Sequence, residues 1–297
     1  VACNPATPKP VEAGVPPSAP ALARPCEAAP DTLEAATIAR VAGLPESSVC
    51  VLDSVDSTNR VLMEEAWPAL PAAPRVLIAR RQTAGRGRLG RVWLSGADDS
   101  LTLSVSLELP PGAALGRLGA LSVVAGLAVA ETLVGRIPDL RLKWPNDLQR
   151  RGRKVAGLLC ESRLQGERVR IVAGLGLNLL PAPERFDALG QPAGALFATP
   201  AQQPPRSRLA GELAAALIGA MAGDPPTDRD LPQRWARLDA LAGCEVDIVS
   251  GGSIRHSGMV AGIDQDGALR LRGPDGERRV AVGEVSVRPS PAAGGVS

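Results

Sequence analysis

The first thirty residues show no spacing that suits a regular element. Pro5, Pro8, Pro10, Pro16, Pro17, Pro20, Pro25 and Pro30 interrupt a run of small residues with almost no large apolar side chain. Proline removes backbone donors and the stretch has little to bury, so residues 1–30 read as an extended, disordered tail. From Asp31 the pattern changes. Asp31 reads as an N-cap, with Leu33, Ile38 and Val41 near one face of a short helix. Val49–Asp53 reads as a strand, and Ser57-Thr58-Asn59 caps a helix reaching about Ala66. Arg75–Ala79 is a second strand, followed by a Gly/Arg loop from Gln82 to Arg91 and a strand-like stretch beyond Gly90. Leu101–Leu109 alternates at period two, predicting a half-buried strand. Leu115–Val134 is apolar on most sides, predicting one buried helix.

Leu140–Trp144 predicts a strand that stops at Pro145, and Lys154–Ser162 with Val169–Leu177 a hairpin around Gln165-Gly166-Glu167. Ser207 reads as the cap of a helix with Leu209, Leu213, Leu217 and Met221 on one stripe. Trp67 and Trp235 read as core residues. Beyond Trp235, short apolar runs alternate with Gly251-Gly252, Asp266-Gly267 and Gly273–Gly276, the texture of a small barrel. The expected plan is α+β: a body over residues 31–238 and a β module over 239–290.

Composition narrows the chemistry. Hydrophobic residues are 45 % and charged residues 22 %, a globular balance, and the net charge of +2 excludes a uniform polycation for nucleic acid or anionic lipid. His256 is the one histidine and no C-x-x-C spacing occurs, so a His- or Cys-rich metal site cannot be assembled. His256 itself, in the β module, reads as structural or solvent-exposed. Cys3, Cys26, Cys50, Cys160 and Cys244 are odd in number and scattered, which reads as reduced thiols of a cytoplasmic protein. The longest apolar run, Leu118–Ala130, falls short of a membrane span, and the first residues hold no signal-peptide core.

Lysine is rare: only Lys9, Lys143 and Lys154 stand among the 33 basic residues. A chain that otherwise uses arginine places Lys143 and Lys154 where a compact ammonium serves and a broad guanidinium does not. Asparagine is equally sparse, at Asn4, Asn59, Asn146 and Asn178. The loop Gln82–Arg91 satisfies G-x-G-x-x-G, but no helix follows Gly90 to receive a pyrophosphate, which removes a dinucleotide fold. Arg86, Arg88 and Arg91 suit an anion, and their mutual repulsion predicts a loop that stays mobile until one arrives. A solvated turn fits this loop alone equally well. Lys143-Trp-Pro-Asn146-Asp147 sets a cation, an amide and a carboxylate at a strand end, where Asp147 suits a Mg²⁺ shared with phosphates; a plain turn also fits. In Arg153-Lys-Val-Ala-Gly157, the glycine is expected to leave room for a ligand against the backbone. Two lysines and several arginines fit phosphoryl or adenylyl chemistry, while the absence of G-x-x-x-x-G-K-[ST] excludes a Walker NTPase.

Ser57-Thr-Asn59, Gln82–Arg91, Lys143–Asp147, Arg153-Lys-Val-Ala-Gly-Leu-Leu159 and Gly174-Leu-Gly-Leu-Asn178-Leu follow one another as in biotin–protein ligases. The chain resembles that family from about Val49 to Pro289. The resemblance implies a mixed β-sheet flanked by helices, related to class II aminoacyl-tRNA synthetase catalytic domains, and a C-terminal SH3-like barrel. It implies two steps: biotin's carboxylate attacks the α-phosphate of Mg²⁺-bound ATP to give biotinyl-5′-AMP and pyrophosphate, then a lysine of a biotin carboxyl carrier protein takes the biotinyl group. By resemblance Ser57, Thr58, Asn59 and Gln82 hold the biotin head, Gly157 and Leu159 line its pocket, and Gly85 and Arg86 close over it. Arg88 and Arg91 face phosphate or adenylate, Trp93 forms the adenylate pocket, and Asn178 lies near the nucleotide. Lys154 meets the biotin carboxylate and the α-phosphate, with Lys143, Asn146 and Asp147 at the phosphates and metal. Lys154, Arg88 and Asp147 form the catalytic set.

Some relatives carry an N-terminal DNA-binding winged helix, and the fifty residues before Ser57 leave no room for one, so neither DNA nor membrane is an expected partner. A homodimer through a sheet edge is the family analogy. Leu89 stands where some relatives have a further arginine. Two rivals are a lipoate–protein ligase of the same fold and a non-catalytic Arg-loop nucleic-acid binder, the latter poorly served by 2 % aromatic residues.

Overall fold

A computed structural model describes residues 33–66, 73–223, 230–283 and 285–290, so the tail, Asp31 and Trp67 lie outside the described residues. The helix expected near Asp31 is α1 (Ala35–Ala42), with Glu34 at its N-cap and Gly43, φ 70°, ending it in the left-handed region. The first sheet is built from β1 (Val49–Val55), β2 (Arg75–Gln82), β3 (Ser100–Leu109), β4 (Leu140–Lys143), β5 (Asp147–Arg150), β6 (Arg153–Gln165) and β7 (Arg168–Asn178). Its order is β1-β2-β3-β7-β6-β5-β4, with β1 and β2 parallel and every other neighbour antiparallel. Between β1 and β2 lies α2 (Thr58–Glu64), capped by the Ser57 side chain as expected.

The expected helix over 115–134 is two helices, α3 (Pro111–Leu118) and α4 (Leu121–Val134). Glycine is a poor helix former, and the break falls at Gly119-Ala120, where the Ala120 carbonyl accepts from Val123 and Val124 to start the second helix. The strand expected to stop at Pro145 does so, but the chain returns at once: Lys143 pairs with Asp147, making β5 a strand the sequence did not reveal. After β7 come α5 (Pro183–Asp187), α6 (Arg206–Ala222) and α7 (Leu231–Ala236). Ser207 does not cap α6, whose N-cap position is Pro205; its hydroxyl accepts instead from the Glu34 amide and so anchors the start of α1.

One face of the sheet is covered by α1, α4 and α6, which pack on each other and on β1, β3, β4 and β6. The core there runs from Ile38 and Leu101 through Leu127 and Leu142 to Leu213 and the fully buried Trp235. The other face carries α2, seated on a smaller cluster of Leu62, Leu77 and Val172. Beside α2 that face carries buried polar groups, Thr58, Asn59 and Ser104, and glycines over which the Trp93 indole lies.

The C-terminal segment forms β8 (Glu245–Ser250), β9 (Ser253–Ile263), β10 (Leu269–Gly273), β11 (Gly276–Val280) and β12 (Ser286–Pro289). They make an antiparallel sheet ordered β11-β10-β9-β8-β12, with β11 and β12 at its edges and, among the described residues, no pairing that closes it into the expected barrel. His256 lies on β9, half-buried opposite Ile248. Val246, Ile248, Leu269 and Val287 join the main core. A second link is polar: the Trp144 indole donates to Gly267 O at 2.9 Å. Among the described residues no helix is long and apolar enough to cross a membrane.

Candidate functional site

The polar face encloses a cleft of about 890 Å³, within the usual size of a ligand pocket. Of the residues singled out above, Ser57, Thr58, Asn59, Gln82, Arg86, Arg88, Arg91, Trp93, Lys143, Asn146, Asp147, Lys154, Gly157, Leu159 and Asn178 all line it. Gly85 does not. Its carbonyl accepts from the Trp93 amide at 2.9 Å, and a Cβ there would lie 2.4 Å from Trp93 O, so its smallness serves the loop's own closure.

One end is a network of buried neutral groups. The Thr58 amide donates to Gln82 Oε1 at 2.8 Å, and Thr58 Oγ1 lies 3.1 Å from the same oxygen. Ser104, from the middle of β3, lies 2.7 Å from Thr58 Oγ1 and donates to Asn59 Oδ1 at 2.6 Å. Asn59 Nδ2 in turn donates to Leu159 O at 3.0 Å and to Glu161 Oε2 at 2.8 Å. This requires Gly174, because a Cβ there would fall 1.9 Å from Asn59 Oδ1. β3 is therefore not half-buried: its polar side, with Thr102, Ser104 and Ser106, is as buried as its apolar side.

The other end is cationic. Arg86, Arg88, Arg91, Lys143, Lys154 and Arg288 line the cleft against Asp147, the one carboxylate among the described lining residues. Lys154 Nζ is 2.6 Å from Asp147 Oδ1 and 5.9 Å from the centre of the Trp93 ring. The indole lies flat on β7, since a Cβ on Gly176 would sit 2.3 Å from Trp93 Cε2. Gly157, paired with Gly176, was expected to leave room for a ligand; a Cβ there would meet Lys154 Cε at 3.0 Å and the Trp93 ring at 3.5 Å, so the room serves the chain's own side chains. Burial is the largest influence on Lys143 and lowers its pKa; Asp147 opposes this, while Lys154, Arg91 and Arg288 add to it. Burial presses the Arg88 pKa down as well, though a guanidinium keeps its proton.

The loop arginines were expected to repel one another, and Arg91 does act on Arg88 as a like charge, while Arg86 and Arg88 each find a separate partner. Arg86 Nη2 donates to Glu161 Oε2 at 3.0 Å; Arg88 reaches Asn146 Oδ1 at 3.4 Å and the Gly283 carbonyl of the C-terminal segment. The backbone is closed by Gly87 N to Arg91 O at 2.7 Å, with Leu89 and Gly90 at φ 58° and 70°. Strand structure resumes only at Ser100, later than expected. Asn146 Nδ2 donates to Leu158 O at 2.5 Å, and Asn178 Nδ2 to Gly194 O at 3.1 Å, which commits Asn178 to holding the 188–194 segment against the cleft.

Ser104, Glu161 and Arg288 were not singled out from sequence, and Gly174 and Gly176 stood in a motif without a role. The signal for Ser104 was present: from Ser100 to Ser106 the polar positions of β3 are small hydroxyls rather than charges, which suits a buried polar wall.

The sequence matches the Biotin/lipoate A/B protein ligase family over residues 51–178 and the Biotin protein ligase C terminal domain over 243–288. A biotin–[acetyl-CoA-carboxylase] ligase of Paracoccus denitrificans is 36 % identical over 258 residues, covering 79 % of this chain and 98 % of that protein. The bifunctional ligase/repressor BirA of Escherichia coli is 34 % identical over 255 residues, covering 82 % and 75 %. Among solved structures, the biotin protein ligase of Aquifex aeolicus in complex with biotin and ATP aligns with a TM-score of 0.60 at 27 % identity, covering 82 % of this chain and 99 % of that one.

Proposed function

The chain belongs to the biotin protein ligase family, and from that premise we propose how its residues divide the work. It is an ATP-dependent biotin–[acetyl-CoA-carboxylase] ligase acting through biotinyl-5′-AMP. The observation that supports the division is the cleft's polarity: an end lined by uncharged hydroxyl and amide side chains, Ser57, Thr58, Asn59 and Gln82, and an end of six cations facing one carboxylate. A neutral ureido ring suits the first and a triphosphate the second.

Ser57, Thr58, Asn59 and Gln82 hold the biotin head, with Gly157 and Leu159 along the pocket wall. Lys154 stands between the biotin carboxylate and the α-phosphate. The carboxylate oxygen forms a bond to the α-phosphorus, the bond to the bridging oxygen breaks, and pyrophosphate leaves with that oxygen's electron pair. Arg88, Arg91, Lys143 and Asn146 hold phosphates in line, and Trp93 gives the adenylate an aromatic wall. Asp147, the one carboxylate among the described lining residues, would be the protein's ligand for a Mg²⁺ arriving with the triphosphate. The ion would supply charge neutralisation. The acceptor is a carboxyl carrier domain, whose lysine attacks the acyl carbon and releases AMP. We further assign residues 31–238 to catalysis and 239–290 to an SH3-like module, and place a homodimer contact at an open sheet edge such as β1.

Pyrophosphate release with ATP and biotin, set against ATP and lipoate, tests the substrate. Two further outcomes are expected. Amide exchange across residues 83–91 should slow once biotin and ATP are added together, because an anion then joins Arg86, Arg88 and Arg91; equal exchange with and without ligand would contradict this. The KM for ATP should rise at lower alkaline pH than an ordinary lysine would dictate. Lys143, its pKa lowered by burial, loses its charge early as pH rises, and Lys143→Arg should flatten that limb. A pH profile of KM for ATP that is identical in both proteins would remove Lys143 from phosphate binding.

A further inference from the structure

Glu161 has no part in the assignments above, yet it joins the cleft's two ends. It follows Leu159 on the same face of β6, and one oxygen, Oε2, accepts from both Arg86 Nη2 and Asn59 Nδ2, at 3.0 and 2.8 Å. We propose that Glu161 is a positioning residue that seats Arg86, and through it the 83–91 loop, so that the adenylate is retained until an acceptor lysine arrives. The proposal rests on the ligase reading and adds to it the control of intermediate release.

A half-exposed ion pair is ordinarily weak, because two flexible side chains must be ordered for it. Glu161 differs because its carboxylate is already oriented. Asn59 holds it, and Asn59 is fixed by Ser104 Oγ at 2.6 Å, by Leu159 O at 3.0 Å and by the missing Cβ of Gly174. Arg86 thus meets an acceptor whose ordering cost is already met. Seating Arg86 also seats the loop base. Arg86 is bridged to Val92, and Trp93 N donates to Gly85 O, so the backbone that turns the indole onto Gly176 is the backbone that carries Arg86. The same Ser104 contacts Thr58, which shares Gln82, so the loop anchor and the biotin-head groups belong to one hydrogen-bonded chain. Glu161 lies at the loop end of that chain, and the Lys154–Asp147 pair is made without it. Its loss should therefore affect retention more than chemistry.

Glu161→Gln keeps an acceptor for Asn59 and removes the charge that holds Arg86. In the full-length chain, preloaded with biotinyl-AMP and chased with unlabelled biotin, this variant should release the adenylate about tenfold faster. Its single-turnover rate of pyrophosphate formation should change by much less. Arg86→Ala should release at a similar rate, and the double variant no faster than Arg86→Ala, because both changes break one contact. Glu161→Asp, which retains the charge, should recover most of the retention, and thermal unfolding of each variant separates leakage from misfolding. Release at the wild-type rate from Glu161→Gln would overturn the proposal. So would additive effects in the double variant, or a Glu161→Asp as leaky as Glu161→Gln. A wild-type chain that forms no biotin-dependent pyrophosphate would overturn the ligase reading, and this proposal with it.

Discussion

Replacing Lys154 by alanine is expected to lower the rate of adenylate formation by roughly 10²–10³, the usual scale for removing one charge aimed at a transition state. The carboxylate of biotin and the α-phosphate both begin negative. Two unit charges at about 4 Å repel by about 4 kcal/mol at an effective dielectric near 20. The Lys154 ammonium lies within the cationic end of the cleft, 2.6 Å from Asp147 and over the Trp93 ring. Its removal also leaves Asp147 without its nearest counter-charge, so a negative group is then turned toward the triphosphate. The variant should fold, because the residue's place in β6 is fixed by its backbone: Lys154 N donates to Pro192 O and Gly194 N to Lys154 O, both at 2.9 Å. Lys154→Arg should restore only part of the rate, since a planar fork cannot occupy the gap beside Gly157 that a Cβ would already crowd. Transfer from added biotinyl-AMP to a carrier should suffer less, because no two anions meet in that step. Measuring the half-reactions separately decides it. Equal losses in both, or an arginine variant with the wild-type rate of pyrophosphate release, would refute this role.

Gly174→Ala should be nearly as damaging, by another route. The new methyl would lie 1.9 Å from Asn59 Oδ1, so Asn59 must leave its place. That breaks its bonds to Ser104, Leu159 O and Glu161, and displaces a buried amide at about 1–3 kcal/mol for each of its polar ends left unpaired. With both the oxygen and the nitrogen end of Asn59 displaced, the KM for biotin should rise by about 10²-fold. The unfolding midpoint should fall by about 5–10 °C for a domain of this size. The KM for ATP should move far less, since the cations stand at the other end. Gly112→Ala is the control, as a Cβ there meets nothing within 4 Å. A KM for biotin within twofold of wild type, with an unchanged midpoint, would show that Asn59 has no hold on the biotin head.

Much of this site was legible as letters because its functional groups are rare types in this chain. Lys143, Lys154, Asn59, Asn146 and Asn178 stand out against an arginine-rich, asparagine-poor background, and each lines the cleft. The strands of the first sheet followed from alternation or from apolar runs, apart from β5, whose four residues carry too short a pattern to read. What stayed hidden depends on pairing. Ser104 looks like a solvent-facing position until α2 is laid over the polar side of β3. Gly174 and Gly176 stand in a motif of the sequence, but what they do shows only when β7 is set beside β6 and both Asn59 and Trp93 are found to need the missing side chains. Helix continuity across Gly119 was misjudged because apolar content says nothing about a single residue of low propensity. The sequence also gave no hint that Arg88 would reach Gly283, or that Arg288 would line the cleft from a different sheet.

That last arrangement bears on how the enzyme comes into being. Chains are synthesised at about 5–20 residues per second, and segments fold as they emerge. The biotin-head groups lie on α2, its cap and the end of β2, but the wall that fixes Asn59 is β7, and Arg288 belongs to β12, the last described strand. Contacts so distant along the chain close late, after the entropy of long loops has been overcome. A ribosome-bound chain lacking β12 would hold the biotin-head pocket without the full set of cations at the phosphate end. Nascent chains should accordingly bind biotin before they consume ATP.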